Sequence, residues 1–454
     1  MTSSRAESSR SVFASLDKLI ACEAIPFSFD KEFDVAVDRM MYALGDQMSV
    51  LGFGEPLHGG DEFMILRNRL FQRLVEAHGF SAITLEITDM RARLVNEYIA
   101  GRGPATYEDV QDSGFSYGSG RYAANRELVE WMKLYNSDPA HAVKLSFYGT
   151  LPSEQGETTE SPRRALELVF TYLQSVDAAA AARHREIVEP LLGADADWEG
   201  PAAAIQREMM AQLMGGAKPQ SENLAPDAGQ AFGLSPRAQA LRLAVENLAF
   251  ELHMRQPELA AKSDRGVFND ALHNLAVARN LLALHAALAQ RESLDTLVSM
   301  RDAMAGEHLV YIAEREETRG KVLVFLHSAH LRRTRTKLPW YEFWPTGAHL
   351  EQIFGARFAV IGGAVGTSEA NFIGAPEAGS IEARLLARQS DCFLPTWRGQ
   401  VLPEGELAAI PVRTGSTRPY VPYTPLFPQS VADLDGIAFL RSVSYTRGAP
   451  PLPG

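Results

Sequence analysis

Residues 48–60 read MSVLGFGEPLHGG, and the apolar run before Gly54 predicts a buried strand that ends in a glycine-rich turn. A helix is predicted directly after this turn, over 61–78, because apolar residues recur there at helical spacing. Further strands, separated by helices, loops or a long helical segment, are predicted at 81–87, 143–148, 321–326, 358–362 and 436–440. This pattern indicates an α/β fold with a mainly parallel central sheet flanked by helices.

A large all-helical subdomain is predicted as an insertion at 161–317, where Ala, Leu, Glu and Arg recur with almost no strand signal. We expect four to six helices there, a flexible linker at 215–236, and a position over the strand ends as a lid. A rigid second domain and a dimer interface are the alternatives. The tail and lead-in cover 1–29, the first half of the α/β core covers 30–160, and 318–454 holds the second half with a Pro-rich wrap.

Composition excludes several classes of protein. The formal net charge of −12, from 44 Lys plus Arg and 56 Asp plus Glu, argues against a nucleic-acid groove. No run approaches the roughly 20 apolar residues that span a bilayer, and no signal peptide is apparent. The two cysteines, Cys22 and Cys392, show no metal-binding or disulfide pattern. These features predict a soluble, cytoplasmic protein. We further expect a monomer or homodimer that acts on a small molecule.

Acidic and histidine side chains follow the first predicted strand. Glu55 and His58 lie in the turn between this strand and the next helix, with glycines on both sides. Ligands of open parallel sheets bind at the carboxyl ends of the strands, so this position favours a functional site. The alternative is a glycine-rich turn with an incidental histidine.

Two charged residues fall on faces that should be buried. Arg67 lies in the middle of the apolar face of helix 61–78, whereas Asn68 is expected outside it. An unpaired buried guanidinium is costly, so Arg67 needs a carboxylate or an anionic ligand. Glu86 points away from its apolar strand neighbours, and it could pair with Arg67, act as an acid or base, or do both. A purely structural Arg–Glu pair remains the alternative.

A pair of histidines, His327 and His330, follows the buried strand 321–326. Histidines with this spacing can bind a metal, act as base and orienting partner, or cap the strand end. With Glu55, His58 and Glu86 they form a polar cluster at one edge of the predicted sheet. The sequence contains no GxSxG elbow, Walker A motif or GxGxxG fingerprint, so a serine hydrolase of the usual type and a nucleotide-binding protein are not supported.

These motifs resemble the erythromycin esterase family. The family's strand ending in Gly-Glu-x-x-His-Gly matches Gly54–Gly59, its helical arginine matches Arg67, its Leu-Glu strand matches Leu85–Glu86, and its His-Asn-x-His matches His327–His330. Weaker matches continue in the family's order to Leu434–Gly436. Three positions depart from the family pattern: Leu57 replaces a threonine, Thr150 an aspartate, and Ser328 an asparagine.

The resemblance implies a hydrolase of an ester or lactone that needs no metal or other cofactor. His58 would be the general base that activates water, with Glu55 and Glu86 as its orienting partners. Arg67, His327 and His330 would bind and polarise the acyl group. The predicted substrate contacts are His330, Glu62 and Ser328.

Two other readings remain open. In a metal-dependent hydrolase the ligands would be Glu55, His58, Glu86, His327 and His330. In a non-hydrolytic tailoring enzyme or binding protein, the same acid and base groups would promote another reaction or none.

Overall fold

The computed structural model describes residues 13–29, 32–151, 159–214, 232–338, 341–415 and 423–450. Ten strands lie in the described residues: β1 (Ile25–Phe27), β2 (Val50–Glu55), β3 (Phe80–Thr88), β4 (Ser146–Leu151), β5 (Lys321–His327), β6 (Thr336–Lys337), β7 (Glu342–Phe343), β8 (Phe358–Thr367), β9 (Asp391–Pro395) and β10 (Gly436–Ser442).

Sixteen α-helices lie in the same parts of the chain: α1 (Leu16–Glu23), α2 (Phe33–Leu44), α3 (Asp61–Ala77), α4 (Asp89–Ile99), α5 (Glu108–Gln111), α6 (Ala123–Ser137), α7 (Arg163–Val176), α8 (Ala178–Leu192), α9 (Asp195–Met214), α10 (Pro236–Met254), α11 (Gln256–Lys262), α12 (Arg265–Ala289), α13 (Leu294–Glu316), α14 (Thr346–Phe354), α15 (Ile381–Leu386) and α16 (Pro428–Asp433). None of the helices searched in these residues is long and apolar enough to cross a membrane.

Eight strands form one sheet in the order β1-β9-β10-β8-β2-β5-β3-β4. The strands from β10 through β8, β2 and β5 to β3 pair in parallel, which confirms the predicted α/β fold. β2 is buried at every position, as expected of a central strand covered on both faces.

Two strands at one edge of the sheet were not predicted. β9 pairs antiparallel with β10, and β1 pairs antiparallel with β9. Only an irregular, Pro-rich wrap was expected near the end of the chain, but Leu394 and Pro395 belong to β9. Both strands are short, and Pro26 lies at the centre of β1, where an outer position tolerates a residue without a backbone N–H.

The chain divides into two compact units. One comprises Met1–Thr150, Ile312–Thr336 and Pro345–Gly454, and the other comprises Leu151–Tyr311 and Lys337–Trp344. The residues described between 159 and 316 form seven α-helices instead of the four to six expected, and short breaks at Asp177 and Arg255 separate consecutive helices.

The predicted flexible linker, 215–236, is described only in part, since residues 215–231 lie outside the described residues. Phe232–Leu234 forms a 3-10 turn, and the Ser235 side chain accepts a hydrogen bond from Ala238 N at the start of α10. This end of the segment is therefore a helix N-terminus with an N-cap. The lid remains a prediction.

Candidate functional site

The predicted site residues lie on neighbouring strands of the central sheet. β2 and β5 pair in parallel with Glu55 directly opposite His327, and β3, which carries Glu86, lies on the other side of β5. The carboxyl ends of these three strands therefore meet at one edge, as predicted from the sequence.

Gly54 allows this close approach of strand ends. A Cβ atom at this position would lie 2.8 Å from the Ser328 Oγ and 3.0 Å from the Ser328 Cα, so a side chain would force β2 away from the turn after β5. Gly59 has a φ of +89°, which lets the turn after β2 reverse direction before α3 begins.

Glu55 and His58 form a carboxylate–imidazole pair. The Nδ1 atom of His58 lies 2.7 Å from the Glu55 Oε1, and the side chain of His58 is 48% exposed while that of Glu55 is 10% exposed. An ionised carboxylate accepts hydrogen bonds only, so Nδ1 of a neutral His58 carries the proton and Nε2 carries the lone pair. Glu55 thus orients the imidazole of His58, and about half of the His58 side chain is exposed.

Glu86 holds the turn after β5. Its Oε2 accepts a hydrogen bond from the His327 backbone N at 2.9 Å, and its Oε1 lies 3.9 Å from the His330 Nε2. The carboxylate of Glu86 therefore connects β3 to both histidines of the HxxH motif.

Arg67 is buried, with only 1% of its surface exposed. Its Nε and Nη2 donate to the Asn68 Oδ1 at 3.0 and 2.7 Å, and its Cζ lies 4.9 Å from the centre of the Phe325 ring. Burial lowers the pKa of Arg67 to about 10, and the charge of Glu55 opposes this shift, so Arg67 remains a cation at neutral pH. Among the described residues Arg67 forms no ion pair, and an amide and an aromatic ring contact it where a carboxylate was one expectation; the other expectation, an anionic ligand, stays a prediction.

Asn68 was expected outside the buried face of its helix, but it is only 6% exposed. Its Nδ2 donates to the Ala124 carbonyl at 2.7 Å, at the start of α6. The expectation was wrong because α3 packs against α6 as well as against the sheet, and a single apolar stripe on the helix does not reveal this second contact.

His327 is buried beside His58, with 4.8 Å between the two ring centres. Burial lowers the pKa of His327 to about 3, the charge of His58 acts in the same direction, and the charge of Glu86 opposes it. His327 is therefore neutral near pH 7. Its Nδ1 lies 3.4 Å from the Ala329 N, and the Pro56 carbonyl accepts from the ring and also opposes the lowered pKa.

The buried neutral His327 predicts a stability change with pH. Its pKa is lower in the folded chain than the ordinary value of 6.5, so only the unfolded chain takes up this proton as the pH falls from about 6.5 toward 3. We expect the free energy of unfolding to fall by at most about 1.4 kcal/mol per pH unit for this group. Urea unfolding at pH 7 and pH 5 measures the change.

H327Q should reduce the change in the free energy of unfolding between pH 7 and pH 5. It should not abolish this change, since burial also lowers the pKa of His285 to about 4. The exposed His253 supplies the control, and H253Q should leave the difference unchanged. If the free energy of unfolding changed equally with pH in the wild type and in H327Q, His327 would not be held neutral by folding.

Glu62 and Ser328 were predicted substrate contacts. The carboxylate of Glu62 accepts from both the N and the Oγ of Ser444 at 2.6 Å, so it anchors the chain that follows β10. The Oγ of Ser328 is buried and has no hydrogen-bond partner in the described residues. Substrate contact by either side chain stays a prediction.

Tyr122 was not singled out in the sequence. Burial raises the pKa of its phenol, and charge on Tyr445 and Glu55 acts in the same direction, so Tyr122 is a neutral hydroxyl that experiences the charge of Glu55. Its position in a Gly- and Ser-rich loop that precedes α6 was the available signal, since such loops often carry functional residues.

The side chains considered as metal ligands do not converge on one point. In the part of the chain that the structure describes, no three of Glu55, His58, Glu86, His327 and His330 place their ligand atoms within 4.8 Å of one another. A tetrahedral or octahedral ion needs at least three such donors around it, so this arrangement does not fit a metal centre.

Solved structures share the fold of this chain. A Bacillus cereus protein has a TM-score of 0.69 at 16% identity, covering 96% of this chain and 98% of that one. A protein described as a succinoglycan biosynthesis protein has a TM-score of 0.66 at 16% identity, covering 95% and 98%. A histidine variant of the erythromycin esterase EreC in its open conformation has a TM-score of 0.63 at 18% identity, covering 92% and 98%.

The sequence itself matches a family model. The model described as erythromycin esterase aligns with residues 75–435, which is most of the chain and includes Glu86, His327 and His330. The match begins after Glu55, His58 and Arg67, so only the geometry described above supports a functional role for those three residues. The extent of the match establishes that this chain belongs to the erythromycin esterase family.

Proposed function

We propose that this protein hydrolyses a carboxylic ester or lactone with a water molecule activated by His58, without a metal, another cofactor or a covalent intermediate. The observation that carries the proposal is the Glu55–His58 pair, in which an accessible imidazole is oriented by a carboxylate at 2.7 Å. An imidazole is a suitable base near neutral pH, and the carboxylate stabilises the imidazolium that forms.

The first step is attack of water on the acyl carbon. His58 Nε2 takes a proton from the water as the new C–O bond forms, and the carbonyl oxygen becomes an oxyanion. The second step breaks the bond to the alcohol, and the His58 imidazolium returns the proton to the leaving oxygen. Glu55 holds the ring in one tautomer through both steps.

Two fixed donors support stabilisation of the oxyanion. Arg67 is a buried cation whose Nη1 makes no hydrogen bond in the described residues, and His327 is a buried, neutral imidazole 4.8 Å from the His58 ring that carries one N–H. Such donors act more strongly in a buried site than in water because they need little reorganisation during the reaction.

Two departures from the family pattern lie in the core and leave the hydrolytic pair intact. Leu57 and Thr150 are fully buried, and the Thr150 Oγ1 is hydrogen bonded to the Thr84 Oγ1 at 2.8 Å within the core. Neither substitution alters the Glu55–His58 pair. A macrolide lactone remains one candidate substrate among esters and lactones.

Purified protein should hydrolyse at least one member of a panel that contains p-nitrophenyl acetate, simple lactones and erythromycin. Because the proposed donors are protein side chains, prior treatment with EDTA should leave the rate unchanged, and elemental analysis should find less than one metal ion per chain. A rate abolished by EDTA and restored by a divalent metal would contradict the metal-free mechanism and favour a metal-dependent hydrolase.

A further inference from the structure

The guanidinium of Arg67 is held along one edge and one face. A single oxygen, Asn68 Oδ1, accepts from both Nε and Nη2, and the Phe325 ring lies 4.9 Å from Cζ. The amide of Asn68 is fixed in turn, because its Nδ2 donates to the Ala124 carbonyl at 2.7 Å. Helix α6 thus fixes the rotation of the Asn68 amide, and this amide fixes the plane of the guanidinium.

The acceptor, Asn68 Oδ1, is neutral, so it does not reduce the positive potential around the guanidinium of Arg67. A carboxylate in this position would form a buried ion pair and cancel most of the positive potential around the guanidinium. An amide oxygen orients the same two N–H groups without adding a negative charge. The cation therefore keeps its attraction for negative charge that develops on a substrate.

We propose that Asn68 is the positioning residue of Arg67: it fixes the guanidinium through a neutral acceptor so that the positive charge remains available to the reacting acyl group. This inference rests on the proposed function for the role of Arg67, and it adds a residue that acts only through Arg67. Asn68 itself contacts α6 and Arg67 and is not a catalytic residue.

Two substitutions separate orientation from charge. N68A removes the acceptor, so the guanidinium loses both hydrogen bonds. N68D keeps an oxygen acceptor for Arg67 but adds a negative charge beside the cation, and it also loses the Nδ2 donor to the Ala124 carbonyl. Since small misplacements of a catalytic group cost up to about 100-fold in rate, we expect either variant to lower kcat for p-nitrophenyl acetate about 10- to 100-fold with little change in KM.

A matched control tests whether loss of the contact between α3 and α6 is by itself sufficient to lower kcat. Phe71 lies on α3, and its ring packs edge-on against Trp131 of α6 with 5.8 Å between the ring centres. F71L weakens the same helix contact and leaves the Asn68 acceptor of Arg67 in place. We expect it to lower the Tm and to leave kcat unchanged.

The Nε–H signal of Arg67 in ¹⁵N NMR spectra gives a readout that needs no substrate. A buried, hydrogen-bonded Nε–H exchanges slowly with water, and its signal is identified by its absence in R67M. We expect slow exchange in the wild type, F71L and N68D, and fast exchange or loss of the signal in N68A.

The outcomes distinguish the inference from the function on which it rests. If N68A and N68D lower only the Tm, while R67M lowers kcat, the positioning role of Asn68 is overturned and the use of Arg67 stands. If R67M leaves kcat unchanged, the proposed use of Arg67 is overturned. Unchanged Nε–H exchange in N68A would overturn the inference whether or not the probe is hydrolysed.

Discussion

H58Q is expected to lower kcat/KM by about 10²- to 10⁴-fold on any ester that the wild type hydrolyses, which is the usual contribution of a general base. Glutamine occupies similar space but cannot take the proton from water. The side chain of His58 is half exposed, so its removal should change the free energy of unfolding little. Steady-state kinetics and urea unfolding of the same preparation separate the two effects.

The chain offers a control for this variant. His78 also pairs with a carboxylate, since its Nε2 lies 2.8 Å from the Asp38 Oδ1, but this pair lies at the end of α3 and not among the strand ends of the site. H78Q should therefore leave kcat/KM unchanged. An active H58Q variant, or an equal loss in both variants, would remove His58 as the base.

Replacement of Arg67 should have the next largest effect. R67M removes the buried cation at similar volume, and loss of one oxyanion donor typically costs about 10²- to 10³-fold in kcat. R67K keeps the charge but cannot reproduce the planar edge that contacts Asn68, so we expect an intermediate loss. The measurement is kcat and KM for both variants on the same ester.

The free energy of unfolding should not fall in proportion to kcat in the Arg67 variants. Burial of an unpaired charge opposes folding, so its removal in R67M offsets the loss of the hydrogen bonds to Asn68. The neighbouring Arg69, whose Nη1 donates to the Phe29 carbonyl at 2.9 Å, supplies the control. R69M should keep kcat. A rate loss in R67M that only matches a loss of folded protein would contradict an electrostatic role.

The centre of the sheet was predictable, and one of its edges was not. β2 and β5 are buried on both faces, so apart from their terminal residues they contain only apolar residues and glycine and are unambiguous. β1 has three residues with a proline in the middle, and β9 begins with an aspartate and ends with a proline. Pairing within the folded sheet, and not local sequence preference, produces these two strands.

The site also contains positions that the sequence predicted and contacts that it did not. Glu55, Glu86 and His327 could be predicted to lie together because strand ends meet at one edge of a parallel sheet. The partner of Arg67 could not, because it depends on how α6 packs beside α3, which no spacing in the sequence encodes. The charge of Arg67 predicted a need for a partner but not that an amide would meet it.

Hydrolysis by activated water is tested most directly by a single turnover in H₂¹⁸O with the enzyme in excess over the best ester. Direct attack by a His58-activated water predicts ¹⁸O in the product acid of the first turnover and none in the carboxylates of the protein. An unlabelled first product with ¹⁸O in Glu55 or Glu86 would reveal a covalent intermediate. A product without label, from a protein also without label, would show that the reaction is not hydrolysis.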